Sequence, residues 1–178
     1  MRGGLTCAEI VCRTAAAVDA IRAMAEDPDF VVGAGTVTTP AQADEAMRAG
    51  ARFVVSPGLS GSVARTCAAA DVTYVPGATT ATEIMAAGDL GLTTLKFFPA
   101  ETSGGLATIS ALAGPFADVR FVPTGGLRPA NLAAYLAAPA VAAVGGTWLT
   151  PSIALETGDF DTVEQLVVEA LAIAEPHE

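Results

Sequence analysis

The chain has 178 residues, of which 52% are hydrophobic and 16% are charged, and its formal net charge is −10. A chain of this length and composition can bury a sizeable core without disulfides or metals, which excludes a disordered or a collagen-like protein. The acidic balance argues against nucleic acid as a partner, because phosphate backbones attract basic proteins.

Short apolar runs alternate with alanine-rich segments along the chain. Each run is continuously apolar instead of alternating, which is typical of parallel strands that are buried on both faces. The runs predict seven strands, at residues 6–13, 30–37, 52–57, 73–76, 94–99, 120–124 and 141–145. The segments between and after them predict seven helices, at residues 15–26, 41–49, 62–70, 82–88, 106–113, 130–137 and 162–174.

This strand–helix rhythm has no linker and no shift in composition, so it predicts one α/β domain over residues 1–178 with a parallel sheet. Seven βα units are visible, one fewer than in a closed (β/α) barrel of the TIM type, which takes about 200 to 250 residues. Residues 132–149 are apolar enough to resemble a membrane span, but Pro139 interrupts them. A helix followed by a buried strand is the better interpretation, and we expect no membrane partner.

The rarest residue types exclude several kinds of site. The only histidine, His177, is next to the last residue, which argues against a histidine base, a Ser-His-Asp triad and a histidine-ligated zinc site. The three cysteines, Cys7, Cys12 and Cys67, form no CxxC pair and favour neither a disulfide framework nor a metal site. Since no targeting segment is visible at Met1, we expect a cytoplasmic protein. From the same histidine and cysteine inventory we expect no bound metal.

Glycine, proline and small residues lie at the C-terminal ends of most of the predicted strands, at 33–36, 56–58, 76–77, 99–100, 123–126 and 145–147. This edge of a parallel α/β sheet carries the site, although tight turns alone would also require such residues. Gly125-Gly126 and Gly145-Gly146 are the stronger candidates, because adjacent backbone amides at a helix N-terminus bind a phosphate dianion. Gly33-Ala34-Gly35 is no dinucleotide fingerprint, because Thr38 replaces its third glycine.

Lys96, the only lysine, lies within an apolar predicted strand. Burial disfavours the charged ammonium form, and a neutral amine can attack a carbonyl carbon to form an imine. The alternative is an edge-strand lysine that extends to solvent. Strand alternation places Glu9 and Arg13 on one face of the first strand. There Glu9 could transfer protons and Arg13 could bind a carboxylate, or the two could form a simple internal ion pair.

Seven stretches, in order along the chain, carry a family resemblance: EIVCRT at 9–14, AVDAI at 17–21, VGAGTV at 32–37, SPG at 56–58, KFFPAE at 96–101, PTGG at 123–126 and GGTW at 145–148. On these motifs the chain resembles the 2-keto-3-deoxy-6-phosphogluconate (KDPG) aldolase family, also called the 4-hydroxy-2-oxoglutarate (KHG) aldolase family. The resemblance implies a class I aldolase that cleaves KDPG, a phosphorylated 2-keto acid, to pyruvate and glyceraldehyde 3-phosphate. It also implies that no cofactor is used and that the protein is a homotrimer.

The resemblance further implies a role for each matching residue. Lys96 would form the Schiff base with the 2-keto carbon, and Glu9 would be the general acid and base. Arg13 and Thr36 would hold the carboxylate of the substrate. The phosphate would be bound by Gly125, Gly126, Gly145 and Thr147, and the pocket would be lined by Pro57, Phe98 and Thr124. The family often has serine where Thr147 stands, and threonine keeps the hydroxyl group.

The resemblance also predicts a missing unit, because family members begin with a further strand and helix before the segment that matches residue 6. A truncated, inactive phosphate-binding fragment is therefore one alternative. A different phosphate-binding barrel enzyme is another, such as a thiamine phosphate synthase-like transferase or a phosphosugar epimerase, although no matching cluster of acids or metal ligands is visible. KDPG, its galactonate epimer and KHG remain alternative substrates.

Overall fold

A computed structural model of the chain describes residues 3–174, which form two compact units. The N-terminal unit comprises Thr6–Phe98, and the C-terminal unit comprises the rest of the described residues. The strands are β1 (Cys7–Val11), β2 (Val31–Gly35), β3 (Phe53–Val55), β4 (Thr73–Val75), β5 (Thr94–Phe97) and β6 (Arg120–Pro123). The helices are α1 (Ala17–Met24), α2 (Pro40–Arg48), α3 (Gly61–Ala69), α4 (Ala81–Gly88), α5 (Gly105–Ala113), α6 (Pro129–Leu136), α7 (Ser152–Thr157) and α8 (Phe160–Ala174). His177 lies outside the described residues.

The N-terminal unit is built on a parallel sheet. Four strands pair in the order β1-β2-β3-β4, all of them parallel. β5 continues this arrangement beside the end of β4, since the Lys96 N–H donates to the Pro76 carbonyl at 2.8 Å and the Ala78 N–H donates to the Lys96 carbonyl at 2.9 Å. The prediction of a parallel α/β fold is confirmed.

The two faces of this sheet differ in chemistry because side chains alternate along each strand. The face toward the helices is part of a buried apolar core that includes Ile21, Val32, Ala34, Val54, Val63 and Cys67. On the opposite face, Glu9 of β1 is in register with Gly33 of β2, which is in register with Phe53 of β3. Glu9 therefore lies on the face away from this core.

Side-chain caps fix where several helices begin. At α2, Thr39 and Gln42 form a capping box in which each side chain accepts a hydrogen bond from the other residue's N–H. Thr80 and Glu83 form the same motif at α4. Each N-cap side chain contributes about 1 kcal/mol to stability, and these helices begin within one residue of their predicted positions.

The C-terminal unit contains β6 and the helices α5 to α8. Its buried side chains include Phe121, Leu132, Tyr135 and Val167, and both α6 and α7 pack against α8. The sequence did not predict α7 or the 3-10 turn Glu101–Ser103, because each is too short for a helical period to show. Among the described helices, none is both long and apolar enough to cross a bilayer.

The predicted strand at 141–145 is wrong as a regular strand. Val141 pairs with Phe121 and Gly145 pairs with Thr124, but both are isolated parallel bridges. Three residue steps from Phe121 to Thr124 match four steps from Val141 to Gly145, so one extra residue breaks the ladder between the bridges. The described residues therefore contain six regular strands, and the 141–145 segment is joined to the chain around β6 by two bridges alone.

Candidate active site

The N-terminal unit brings its lysine and a carboxylate into direct contact. Lys96 Nζ donates a hydrogen bond to Glu9 Oε1 at 3.2 Å, although the two residues are 87 positions apart in the sequence. The Lys96 side chain is 8% exposed and the Glu9 side chain is 26% exposed. The amine is thus shielded from water while the carboxylate can exchange protons with solvent, and Lys96 is no edge-strand lysine extended into solvent.

The backbone around Lys96 fixes its position and brings two predicted site residues near it. Gly77 pairs with Lys96, and a Cβ on Gly77 would lie only 2.0 Å from the Pro57 carbonyl oxygen. The absence of a side chain at Gly77 therefore lets the Pro57 backbone approach this end of the sheet. The Phe98 ring centroid lies 5.4 Å from Lys96 Nζ, within the range of a cation–π interaction.

Gly35 makes the space that Glu9 occupies. A Cβ on Gly35 would lie 1.9 Å from Glu9 Oε1 and 2.5 Å from Glu9 Cδ. The Glu9 side chain therefore reaches from β1 across the bare backbone of β2 toward Lys96. Sequence reasoning did not assign this role to Gly35, although the signal was present: Gly33 and Gly35 alternate on the face of β2 that neighbours Glu9.

Arg13 and Thr36 follow the ends of β1 and β2. Arg13 is exposed and lies outside β1, a correction of the predicted strand, because its N–H donates to the Val11 carbonyl at 2.9 Å and the chain turns there. Within residues 3–174 no ion pair joins Arg13 to Glu9, which pairs with Lys96 instead. Thr36 has φ +59°, a strained conformation for a β-branched residue that is enriched at functional sites.

In the C-terminal unit, the Gly125-Gly126 turn has a conformation that only glycine adopts easily. The two residues have φ +97° and +84°. The turn follows β6 after one residue, Thr124, and ends three residues before α6 begins at Pro129. It is half-buried at Gly125 and exposed at Gly126, so its backbone is accessible to a ligand.

The second pair of glycines in this unit, Gly145 and Gly146, leaves room for two neighbouring side chains. A Cβ on Gly145 would lie 2.7 Å from Thr124 Oγ1, and a Cβ on Gly146 would lie 1.6 Å from the Trp148 ring. The Gly145 N–H donates to the Pro123 carbonyl at 2.9 Å, so this amide is already used within the fold. Thr147 is exposed beside them.

Three comparisons identify the family. The family model described as "Aldolase: KDPG and KHG aldolase" matches residues 1–166. The chain belongs to the KDPG and KHG aldolase family. It is 47% identical over 170 residues to the KHG/KDPG aldolase of Escherichia coli strain K12, an alignment that covers 95% of this chain and 80% of the relative.

Two solved structures of similar proteins bear on the chemistry of this aldolase fold. The KDPG aldolase of Zymomonas mobilis ZM4, solved with 3-phosphoglycerate, matches with a TM-score of 0.90 at 41% identity over 97% of this chain and 81% of that chain. The KDPG aldolase of Legionella pneumophila, solved with pyruvate captured as a covalent carbinolamine, matches with a TM-score of 0.91 at 35% identity over 95% of this chain and 82% of that chain.

Cys12 lies close to the lysine–carboxylate pair of this family member but is not suited to be its nucleophile. Burial raises the pKa of the Cys12 thiol, and the negative charges of Glu45 and Glu9 raise it further. The thiol is therefore protonated at neutral pH, and a protonated thiol is a poor nucleophile. The buried amine of Lys96 is the other candidate nucleophile beside Glu9.

Proposed function

We propose that the chain is a class I aldolase that cleaves KDPG to pyruvate and glyceraldehyde 3-phosphate. The observation that carries the proposal is the contact of a buried amine, Lys96, with the Glu9 carboxylate at 3.2 Å in a member of this family. The covalent pyruvate adduct in the Legionella relative supports a Schiff-base route. KHG, which would give pyruvate and glyoxylate, is a second candidate substrate, favoured by the name of the Escherichia coli relative.

The proposed mechanism uses the pair in sequence. Glu9 accepts a proton from the Lys96 ammonium, and the neutral amine attacks C2 of the substrate to form a carbinolamine. Glu9 returns the proton as water leaves, which gives the iminium ion. Glu9 then removes the C4 hydroxyl proton, the C3–C4 bond breaks, and its electron pair neutralises the iminium as an enamine. Protonation of C3 and hydrolysis release pyruvate and restore Lys96.

The remaining site residues are proposed to bind the substrate. Their expected roles are carboxylate binding for Arg13 and Thr36, phosphate binding for Gly125, Gly126, Gly145 and Thr147, and lining of the pocket for Pro57, Phe98 and Thr124. The strained backbone of Thr36 and the approach of Phe98 to Lys96 support two of these roles. The Gly145 N–H already donates to the Pro123 carbonyl, so Gly145 would serve the phosphate site by giving room beside Thr124 and not by donating its own amide.

Four further properties belong to this proposal. The closed (β/α) barrel and the single domain over residues 1–178 stay predictions from the sequence. A homotrimer and a cytoplasmic location likewise rest on the family resemblance and on the residue inventory. Sedimentation equilibrium of the purified chain would measure the mass of the assembly, and a mass other than three chains would contradict the trimer.

Borohydride trapping tests the proposed function directly. Incubation with pyruvate and borohydride should add one pyruvyl unit to the peptide that carries Lys96, since the only competing amine is the N-terminus. The control variant Lys96→Arg should keep its fold but lose both trapping and turnover, because a guanidinium stays charged and cannot attack. Folded wild-type protein with an unmodified Lys96 would contradict the aldolase proposal.

A further inference from the structure

Glu101 contacts the Gly125-Gly126 turn in two ways within the C-terminal unit. Its backbone N–H donates to the Gly125 carbonyl at 3.1 Å. Its side-chain stem fills the space beside Gly126, where a Cβ would lie 2.5 Å from Glu101 Cγ. The Glu101 carboxylate in turn accepts a hydrogen bond from the hydroxyl group of Tyr135, a buried residue of α6. The turn is thus tied to α6 through Glu101.

Asn131 holds the other carbonyl of the same turn. Its Nδ2 donates to the Gly126 carbonyl at 3.3 Å, and its Oδ1 accepts from the Arg128 N–H at 2.9 Å. Both carbonyl oxygens of the double-glycine turn are therefore occupied by groups of the fold. Neither bond belongs to the regular pattern of a helix or a sheet. The backbone of Glu101 holds the first peptide and the side chain of Asn131 holds the second, and together they set the orientation of the turn.

The orientation of the carbonyl groups determines where the amides point. In a trans peptide the C=O and the following N–H point in opposite directions. With the Gly125 and Gly126 carbonyls turned toward Glu101 and Asn131, the N–H groups of Gly126 and Leu127 point away from them. Neither N–H donates to any group within residues 3–174. Two adjacent free amides that precede a helix form a suitable site for a phosphate dianion.

We propose that Glu101 and Tyr135 are positioning residues that hold the two amides in the geometry required for the substrate phosphate. The proposal rests on the phosphate-binding role proposed above for this turn. The Glu101 side chain packs against Gly126, and the hydrogen bond from the Tyr135 hydroxyl group holds that side chain in place. Burial and the hydrogen bond to Glu101 raise the pKa of Tyr135 to about 12, so the hydroxyl is a stable donor at every ordinary assay pH.

Tyr135→Phe is the test, because it removes the hydroxyl donor and keeps the ring. Losing one such hydrogen bond should raise KM for KDPG by about three- to tenfold, with kcat for KDPG nearly unchanged. KM for KHG, which has no phosphate, should stay unchanged. The Kd of 3-phosphoglycerate, measured by titration calorimetry, should rise by the same factor as KM for KDPG. Trapping of pyruvate on Lys96 should be unaffected.

Two comparisons distinguish positioning from loss of stability. Tyr74→Phe is the matched control, since Tyr74 is the only other tyrosine, is also buried, and bonds to Gly58 and Ser60 in the N-terminal unit. It should change KM for KDPG and KHG by equal factors. Glu101→Gln retains an acceptor for Tyr135 and should keep the wild-type Kd for 3-phosphoglycerate, whereas Glu101→Ala should raise it.

The outcomes separate this proposal from the proposed function. If Tyr135→Phe raises both KM values equally, or leaves the Kd of 3-phosphoglycerate unchanged, the positioning role is overturned. Wild-type protein that does not bind 3-phosphoglycerate also overturns it. If wild-type protein binds 3-phosphoglycerate but traps no pyruvate on Lys96, the aldolase proposal fails, and the calorimetric comparison of the variants still decides the role of Tyr135.

Discussion

Alanine at position 35 would put a methyl group where the Glu9 carboxylate now lies. The new Cβ would be 1.9 Å from Glu9 Oε1, whereas real Cβ contacts stay beyond 3.0 Å, so the carboxylate must move by at least about 1 Å. Its hydrogen bond to Lys96 is already 3.2 Å long and will not survive such a shift in most directions. A 1 Å misplacement of a reacting group can lower the rate about 10²-fold. Overpacking of this kind costs about 1 to 3 kcal/mol of stability.

Gly33→Ala is the matched control on the same strand and the same face. A Cβ at Gly33 would lie 2.2 Å from the Phe53 ring, and its three nearest neighbours are all atoms of Phe53, not of Glu9. We expect both variants to lose similar stability in urea unfolding. Only Gly35→Ala should lose kcat by about two orders of magnitude, measured as pyruvate released from KDPG at saturating substrate.

A double variant decides whether Gly35 acts through Glu9. In Glu9→Ala protein the carboxylate that would clash is gone, so adding Gly35→Ala should cost almost no further stability or activity. Equal losses of kcat in Gly33→Ala and Gly35→Ala would refute the idea that the position of Glu9 limits the rate. So would a Gly35→Ala penalty that persists at full size in the Glu9→Ala background.

Two further predictions concern the Glu9 carboxylate and the Glu83 cap of α4. Glu9→Gln should lower kcat about 10²- to 10⁴-fold while pyruvate remains trappable on Lys96 by borohydride, and an unchanged steady-state rate would remove Glu9 from the mechanism. Hydrogen bonds from the Thr79 N–H and from Thr80 hold the pKa of Glu83 below its ordinary value of 4.5. Its ionised form therefore stabilises the fold above that pH and loses this effect as the pH falls. The stability lost in Glu83→Gln, from urea unfolding, should be larger at pH 7 than at pH 3, and a constant difference would contradict the assignment.

The strands that the sequence predicted best are those with continuous apolar runs. β2 to β6 all lie within their predicted ranges, because a run buried on both faces leaves a strong signal. The segment at 141–145 has the same composition, yet it forms only two bridges, because a one-residue mismatch with β6 is a property of the pairing and not of the segment. Arg13 was misplaced on β1 for a related reason, since a single backbone bond to Val11 ends the strand early.

The part of the candidate site that the sequence predicts most directly is the part built from a rare residue type. Lys96 is unique in the chain, and the apolar residues around it in the sequence indicate a buried amine. Its contact with Glu9 joins β5 to β1, which are not adjacent in the sheet, and strand composition holds no information on such a contact. The Tyr135–Glu101 bond was missed because the two residues lie 34 positions apart and no spacing in the sequence relates them.

Glycine illustrates why a motif can be recognised before its cause is known. Gly125 and Gly126 are required by positive φ values, which is the usual explanation for glycine in a turn. Gly35 is required because Glu9 occupies its side-chain space, and Gly146 is required in the same way by Trp148. Such glycines are one half of a pair, and their partners can be distant in sequence, as Glu9 is from Gly35. A glycine at the end of a strand can therefore be required by a close neighbouring side chain as well as by a tight turn. Which of the two applies is known only once the neighbouring residue in the structure is identified.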